Sequence, residues 1–195
     1  MKVSCFFFWN VKELANQKIV EMLFNFFKLH TLIFVFIVEP MMSYTDALDV
    51  LFKYVNQHLV ATSPIVSKAA KLCCLSVPNL VQYFLVNGHF ISINCFFHDK
   101  CFSFAGVYDT NTYLVRRLLW KDLSFFTRPW CILGDFNVVL SANNCKGGLL
   151  LITCNEFLDW INNNDLTSMP FSERKGLQRI DRKLDRALCN EECLD

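Results

Sequence analysis

Residues 130–140 read WCILGDFNVVL. Trp130, Cys131, Ile132 and Leu133 form an apolar run of the kind a buried strand needs, and Gly134 breaks it. Asp135 and Asn137 then stand where more core would be expected. A polar group left without a partner at a core edge costs about 1–3 kcal/mol. The stretch therefore reads as a strand running into a loop, with a carboxylate and an amide delivered at its end.

The same pattern recurs elsewhere. The apolar run Phe6–Trp9 ends on Asn10, and Phe34–Val38 ends on Glu39. Phe102–Val107 ends on Tyr108 and Asp109, with Asn111 close behind. Taken singly, each of these residues is an ordinary turn former. Their recurrence at strand ends points to a polar pocket along one sheet edge. Carboxylates and amides gathered there are the oxygen ligands that a hard divalent cation such as Mg²⁺ takes.

Between these strands the periodicity changes. Val3–Trp9 reads as a central strand buried on both faces. From Glu13 to Leu29 the apolar residues Leu14, Ile19, Met22, Leu23, Phe26 and Phe27 recur at helical spacing. Leu32–Val38 is a second buried strand. Strand, helix, strand is the order of a layered α/β domain. Residues 45–60 read as a short helix that Thr45 caps. Residues 71–77, 81–86, 89–97 and 101–108 read as strands, with turns at Asn87–Gly88 and at 98–100. Residues 112–126 and 154–164 read as helices, and 172–186 as a polar, basic tail. No internal repeat or linker appears, so one domain over 1–195 is the simplest division.

Composition limits the remaining choices. Hydrophobic residues make up 53% of the 195, with 20 Phe, and the formal net charge is +1. A charged partner would have to meet a local patch, because the global charge advertises none. The ten cysteines show no C-x-x-C spacing and the four histidines are scattered. That argues against structural zinc and for reduced, buried thiols in an intracellular protein, nuclear or cytoplasmic and not secreted. Mean hydropathy is +0.29, which makes a small membrane-associated protein an alternative. Against it, the apolar run TLIFVFIV is eight residues long, whereas a span needs about 20. The N-terminal MKVSCFFFWN lacks the long apolar region of a signal peptide.

GDFN after an apolar strand, with an upstream WN and an isolated Glu after a second strand, resembles the endonuclease/exonuclease/phosphatase superfamily. The similarity is closest to the endonuclease domain of plant non-LTR (LINE-type) retrotransposons. FFFWNVKELAN, FVFIVEPMMS, GVYDTNTYLVRRLLWKDL, PWCILGDFNVVLSANNCKGG and LDRALCNEECLD carry it, in that order, with residues 60–90 the weakest part. The resemblance implies a four-layer α/β sandwich, with two mixed β-sheets packed face to face and helices outside. It implies Mg²⁺-dependent (or Mn²⁺-dependent) hydrolysis of DNA phosphodiesters. Glu39 would be the metal-binding carboxylate, and Asn10 would help hold metal and phosphate. Tyr108 would contact the scissile phosphate, and Asn111 would stand on its phosphate side. Asp135 would orient or activate the attacking water, and Asn137 would support the oxyanion. Asp185 would act behind them, with Asp181 a rival for that role. Arg116, Arg117, Lys146 and Arg182 would meet the DNA backbone, although Arg116 and Arg117 on a helix read equally well as an ordinary solvated face.

The chain departs from the family pattern in three places. Glu13 stands where glycine is usual in the loop after WN. Between Ser168 and Lys183 only Phe171 could represent an aromatic strand. The family's final Ser-Asp-His motif is absent, and no histidine follows His98. Loss of a positioned acid–base group costs about 10²–10⁴-fold. The expectation is a C-terminally truncated domain, degenerate or inactive. The alternative is a non-catalytic nucleic-acid-binding remnant.

Overall fold

Short Phe- and Cys-rich runs bounded by turn residues become strands, and the longer amphipathic runs become helices. A computed structural model of the chain describes residues 5–11, 14, 16–29, 32–43, 45–46, 49–50, 58–63, 70–97, 100–109, 112–125, 129–138, 148–169 and 185–193. The backbone gathers into two units, Met1–Cys101 and Phe102–Asp195.

The first unit contains β1 (Cys5–Asn10), α1 (Gln17–Leu29), β2 (Leu32–Val38), β3 (His58–Thr62), β4 (Leu72–Ser76), β5 (Val81–Val86) and β6 (Phe90–Phe97). A mixed sheet runs in the order β1-β2-β4-β3, with β1 and β2 parallel and β4 antiparallel to both its neighbours. The β5–β6 antiparallel pair lies against β3 and β4. The core follows from this order: Phe34–Val38 and Leu72–Ser76, on the two inner strands, are buried.

Three expectations are corrected here. β1 is the edge of the described sheet, not a central strand, and Phe6 is 39% exposed, stacked on Phe34. Helix α1 starts at Gln17, not Glu13, because Asn16 caps it. The Asn16 side chain accepts the Lys18 N–H at 3.0 Å, and its carbonyl accepts those of Ile19 and Val20. Leu14, read as helical, is instead fully buried in the preceding turn and donates to Pro40 O at 3.0 Å. Most of the helix expected over 45–60 lies outside the described residues, and His58–Val60 belong to β3. At its start, Ser43 Oγ accepts the backbone N–H of Asp46 at 3.2 Å.

The second unit takes all but the first residues of β7 (Lys100–Tyr108), then α2 (Tyr113–Leu123), β8 (Trp130–Asp135), α3 (Gly148–Asn163), β9 (Leu166–Ser168) and β10 (Asp185–Asn190). Its strands run in the order β7-β8-β10-β9. β7 and β8 are parallel, whereas β10 is antiparallel to β8 and β9. The sequence pattern overlooked β9 and placed the start of α3 too late. Trp120 from α2, Phe157 and Trp160 from α3, and Phe136 form one aromatic cluster with ring centroids 5.1–6.4 Å apart. The Trp160 indole N–H is satisfied by Trp120 O and Ser124 Oγ, each at 2.9 Å.

Both sheets are mixed and carry helices, which is the expected α/β class. Among the described residues the cysteines are free, and burial pushes the Cys73 and Cys95 thiols up to about 12. Among the described residues no helix is long and apolar enough to cross a membrane.

Candidate active site

In the second unit, the register sets Tyr108 beside Asp135 on parallel strands, and β10 brings Asp185 opposite Asp135 from the other side. Three of the residues singled out in the sequence thus share one row at the strand ends. The next residues tighten it. The Asn137 backbone N–H donates to Asp135 Oδ1 at 3.0 Å, closing a turn built on the aspartate side chain. Asn137 has φ 49°, a left-handed conformation that asparagine tolerates better than most residues. Its Nδ2 donates to Asp109 O at 3.0 Å, and the Asp109 N–H donates to Asp135 O at 2.9 Å. Asp135 and Asn137 are both half-buried.

The residues between them anchor the corner. Phe136 is fully buried among Phe157 and Trp160, so the DFN triplet alternates polar, core, polar. Gly134 is required by sterics, because a Cβ there would lie 2.7 Å from both Val107 Cβ and Val107 O. Arg186, opposite Gly134, is buried and donates from Nη2 to Val138 O at 3.0 Å. Burial lowers its pKa from the ordinary arginine value.

Asp109, which the strand-end pattern placed in a polar pocket, is 1% exposed and pairs with Arg116 at 2.9 Å. That pairing also relocates Arg116. Expected on a DNA-facing surface, it is 6% exposed and turned into the protein, where a guanidinium without its carboxylate would be costly. Arg117 does stand at the surface, 3.6 Å from Glu156, whose other oxygen accepts the Tyr113 hydroxyl at 2.7 Å. A groove of about 330 Å³ runs between α2 and α3 beside these residues. Arg117 and Lys121 line it together with Glu156 and Asp159, so its charges balance.

In the first unit, β1 and β2 are parallel and end together. Asn10 pairs with Val38, and Glu39 follows at once. The Val11 N–H donates to Val38 O at 3.0 Å, and the Glu39 N–H donates to Lys71 O at 2.8 Å. Glu39 has φ 53°, an unusual conformation for a residue with a long side chain. Asn10 Oδ1 is buried with no hydrogen-bond partner among the described residues. An orphaned amide oxygen on β1, with the half-buried residue Glu39 one place past its register partner on β2, is the kind of donor set that a hard divalent cation takes. Among the described residues, however, no group of three or more His, Cys, Asp or Glu is placed to hold a metal ion.

Asn111, Lys146, Asp181 and Arg182 lie outside the described residues. Sequence reasoning missed the supporting roles of Asp109, Phe136 and Arg186. The alternation in DFN was the available signal for Phe136, whereas the partners of the other two come from distant elements.

Neither a protein-family model nor a curated protein matches the chain. Solved structures do. An endonuclease/exonuclease/phosphatase family protein from Leptotrichia buccalis is 12% identical, with a TM-score of 0.62 over 97% of this chain and 88% of that one. The endonuclease domain of TRAS1, a telomere-specific non-LTR retrotransposon, is 9% identical, with a TM-score of 0.61 over 98% and 85%. An AP endonuclease from Leishmania major is 11% identical, with a TM-score of 0.69 over 95% and 79%. At such identities the likeness establishes a shared fold.

Proposed function

We propose that the chain hydrolyses DNA phosphodiester bonds with a divalent cation, Mg²⁺ or Mn²⁺, as an endonuclease of the plant non-LTR retrotransposon type. The observation that carries this reading is the turn at the end of β8. There Asp135 and Asn137 are locked together by a 3.0 Å hydrogen bond, and the strand register sets Tyr108 beside Asp135. A fold shared with nucleases supports the reaction class.

In this reading Asp135 orients the attacking water and takes its proton. Asn137 donates from Nδ2 to a non-bridging phosphate oxygen, and the Tyr108 hydroxyl donates to the same phosphate. Glu39 and Asn10 would hold the cation, which when bound would stabilise negative charge on the phosphoryl oxygens. Asn111 contacts the phosphate and Asp185 supports the water-orienting group. Arg117, Lys146 and Arg182 meet the DNA backbone. Arg116 is left out of this set because its charge is spent on Asp109.

The test is nicking of supercoiled plasmid by the purified 195-residue chain. Nicking that requires Mg²⁺ or Mn²⁺, and that disappears in Asp135→Ala, is the expected result. Nicking indifferent to Asp135→Ala overturns the assignment. Salt-sensitive DNA retention without nicking favours a degenerate, non-catalytic binding protein.

A further inference from the structure

Asp109 touches both members of the Asp135–Asn137 pair through its backbone. Its N–H donates to Asp135 O at 2.9 Å, and its carbonyl accepts Asn137 Nδ2 at 3.0 Å. A carbonyl can only accept, so the NH₂ end of the Asn137 amide must face Asp109. That contact fixes the plane of the amide and the direction of its second N–H. The position of the Asp109 carbonyl depends in turn on its side chain. The carboxylate is fully buried, 2.9 Å from Arg116 Nε on α2.

Two features argue that this pair does more than fill space. A buried ion pair is often no more stabilising than apolar residues of similar volume. The equivalent position after β1 is Val11, equally buried, donating to Val38 O as Asp109 donates to Asp135 O. An apolar residue therefore serves this backbone geometry in the same chain. Moreover, Arg116 lies in the first turn of α2, where a cation meets the positive end of the helix dipole. The Thr112 side chain does not cap the helix N–H groups, and the first turn has no acid of its own. Asp109 supplies the negative charge that this helix start lacks.

We propose that Arg116 and Asp109 are positioning residues that aim the side-chain amide of Asn137, tying its orientation to α2. The inference rests on the hydrolase reading for its kinetic consequence and on the geometry alone for its structural one.

The test follows the Asn137 NH₂ signals in the ¹⁵N-labelled 195-residue chain, identified by their loss in Asn137→Asp. Arg116→Met should shift these signals and speed their exchange with solvent roughly tenfold, while Arg116→Lys, which keeps the charge, restores them. Glu156→Gln, which alters a different contact of α2, should leave them in place. In the nicking assay Arg116→Met should lower kcat about tenfold with KM for DNA nearly unchanged. If Arg116→Met does not fold, the neutral, hydrogen-bonding double variant Asp109→Asn with Arg116→Gln takes its place. A fall in Tm with the Asn137 signals unmoved would overturn the proposal. An unaltered chain that does not nick DNA sinks the hydrolase reading instead, and the spectra still decide the positioning.

Discussion

The corner at the ends of β1 and β2 and the corner at the ends of β7 and β8 are built on one backbone plan. Each joins two parallel strands through a helix, α1 or α2. In each, the residue just past the first strand donates its N–H to the last paired residue of the second. Each also has a positive-φ residue just beyond, Glu39 in one and Asn137 in the other. They differ in what anchors the plan. The first unit uses a buried valine within an apolar cluster that includes Leu14 and Leu23. The second uses a buried ion pair, with its carboxylate on Asp109 and its guanidinium on α2. An apolar anchor is tolerant of direction, whereas an ion pair fixes it, and the directed anchor stands where an amide must be aimed.

The largest effect should come from breaking the second anchor. Asp109→Ala strands the Arg116 charge and should cost about 3–5 kcal/mol in guanidinium unfolding. Val11→Ala removes only apolar contact and should cost about 2 kcal/mol. Equal losses would mean that the two anchors are equivalent and the contrast is empty. Conversely, Asp109→Val with Arg116→Leu converts the second corner to the style of the first and should be neutral or stabilising by about 1–4 kcal/mol.

A smaller effect is expected at the strand spacing. Gly134→Ala drives a Cβ into Val107 backbone and should cost about 1–3 kcal/mol. Gly88→Ala in the first unit meets nothing within 4 Å and should change stability by less than about 0.5 kcal/mol. Thermal melts of the pair would show whether crowding belongs to the second corner alone.

The two left-handed residues should separate by about 1 kcal/mol. Glu39→Gly relieves a conformation that costs a side-chain-bearing residue about 1–2 kcal/mol, and should raise Tm. Asn137→Gly should gain less, because asparagine already tolerates that region and its turn contacts are lost. If both substitutions act alike, Glu39 is not held under strain.

Alkali should divide the units least. Burial raises the thiols of Cys73 and Cys95 in the first unit from 9.0 to about 12, and raises that of Cys189 in the second. A folded-state pKa above the unfolded one contributes stability that is complete below pH 9. It is lost as pH rises toward 12. Melts should therefore show a lower Tm at pH 10 than at pH 8, with both units affected. A flat profile would place these thiols in contact with solvent.

Elements with strong periodicity were legible from residues alone. Leu32–Val38 appears with the expected bounds, and the strand ends carry the polar residues that the pattern singled out. What escaped has a physical reason in each case. The start of α1 was set by the Asn16 cap rather than by where apolar spacing begins. β1 has the composition of a central strand, yet its place in the sheet order is a tertiary outcome that composition does not carry. In the candidate site, Asp135 and Asn137 were readable because their anomaly is local. Arg116 was misplaced because charge on a helix looks solvated until its partner is known, and that partner precedes the helix on a strand end.

The alternation at 135–137 has a consequence for how such a chain ages. In the proposed reading, stability is concentrated in Gly134 and Phe136, and chemistry in the two polar neighbours. A lineage released from selection on catalysis can lose either polar letter and still present a filled core, so its descendants would look well folded long after falling silent. On that proposal, substitutions at 136 would erode the scaffold, and those at 135 and 137 the reaction. Within one tetrapeptide, the two histories are written at separate positions and can be read apart.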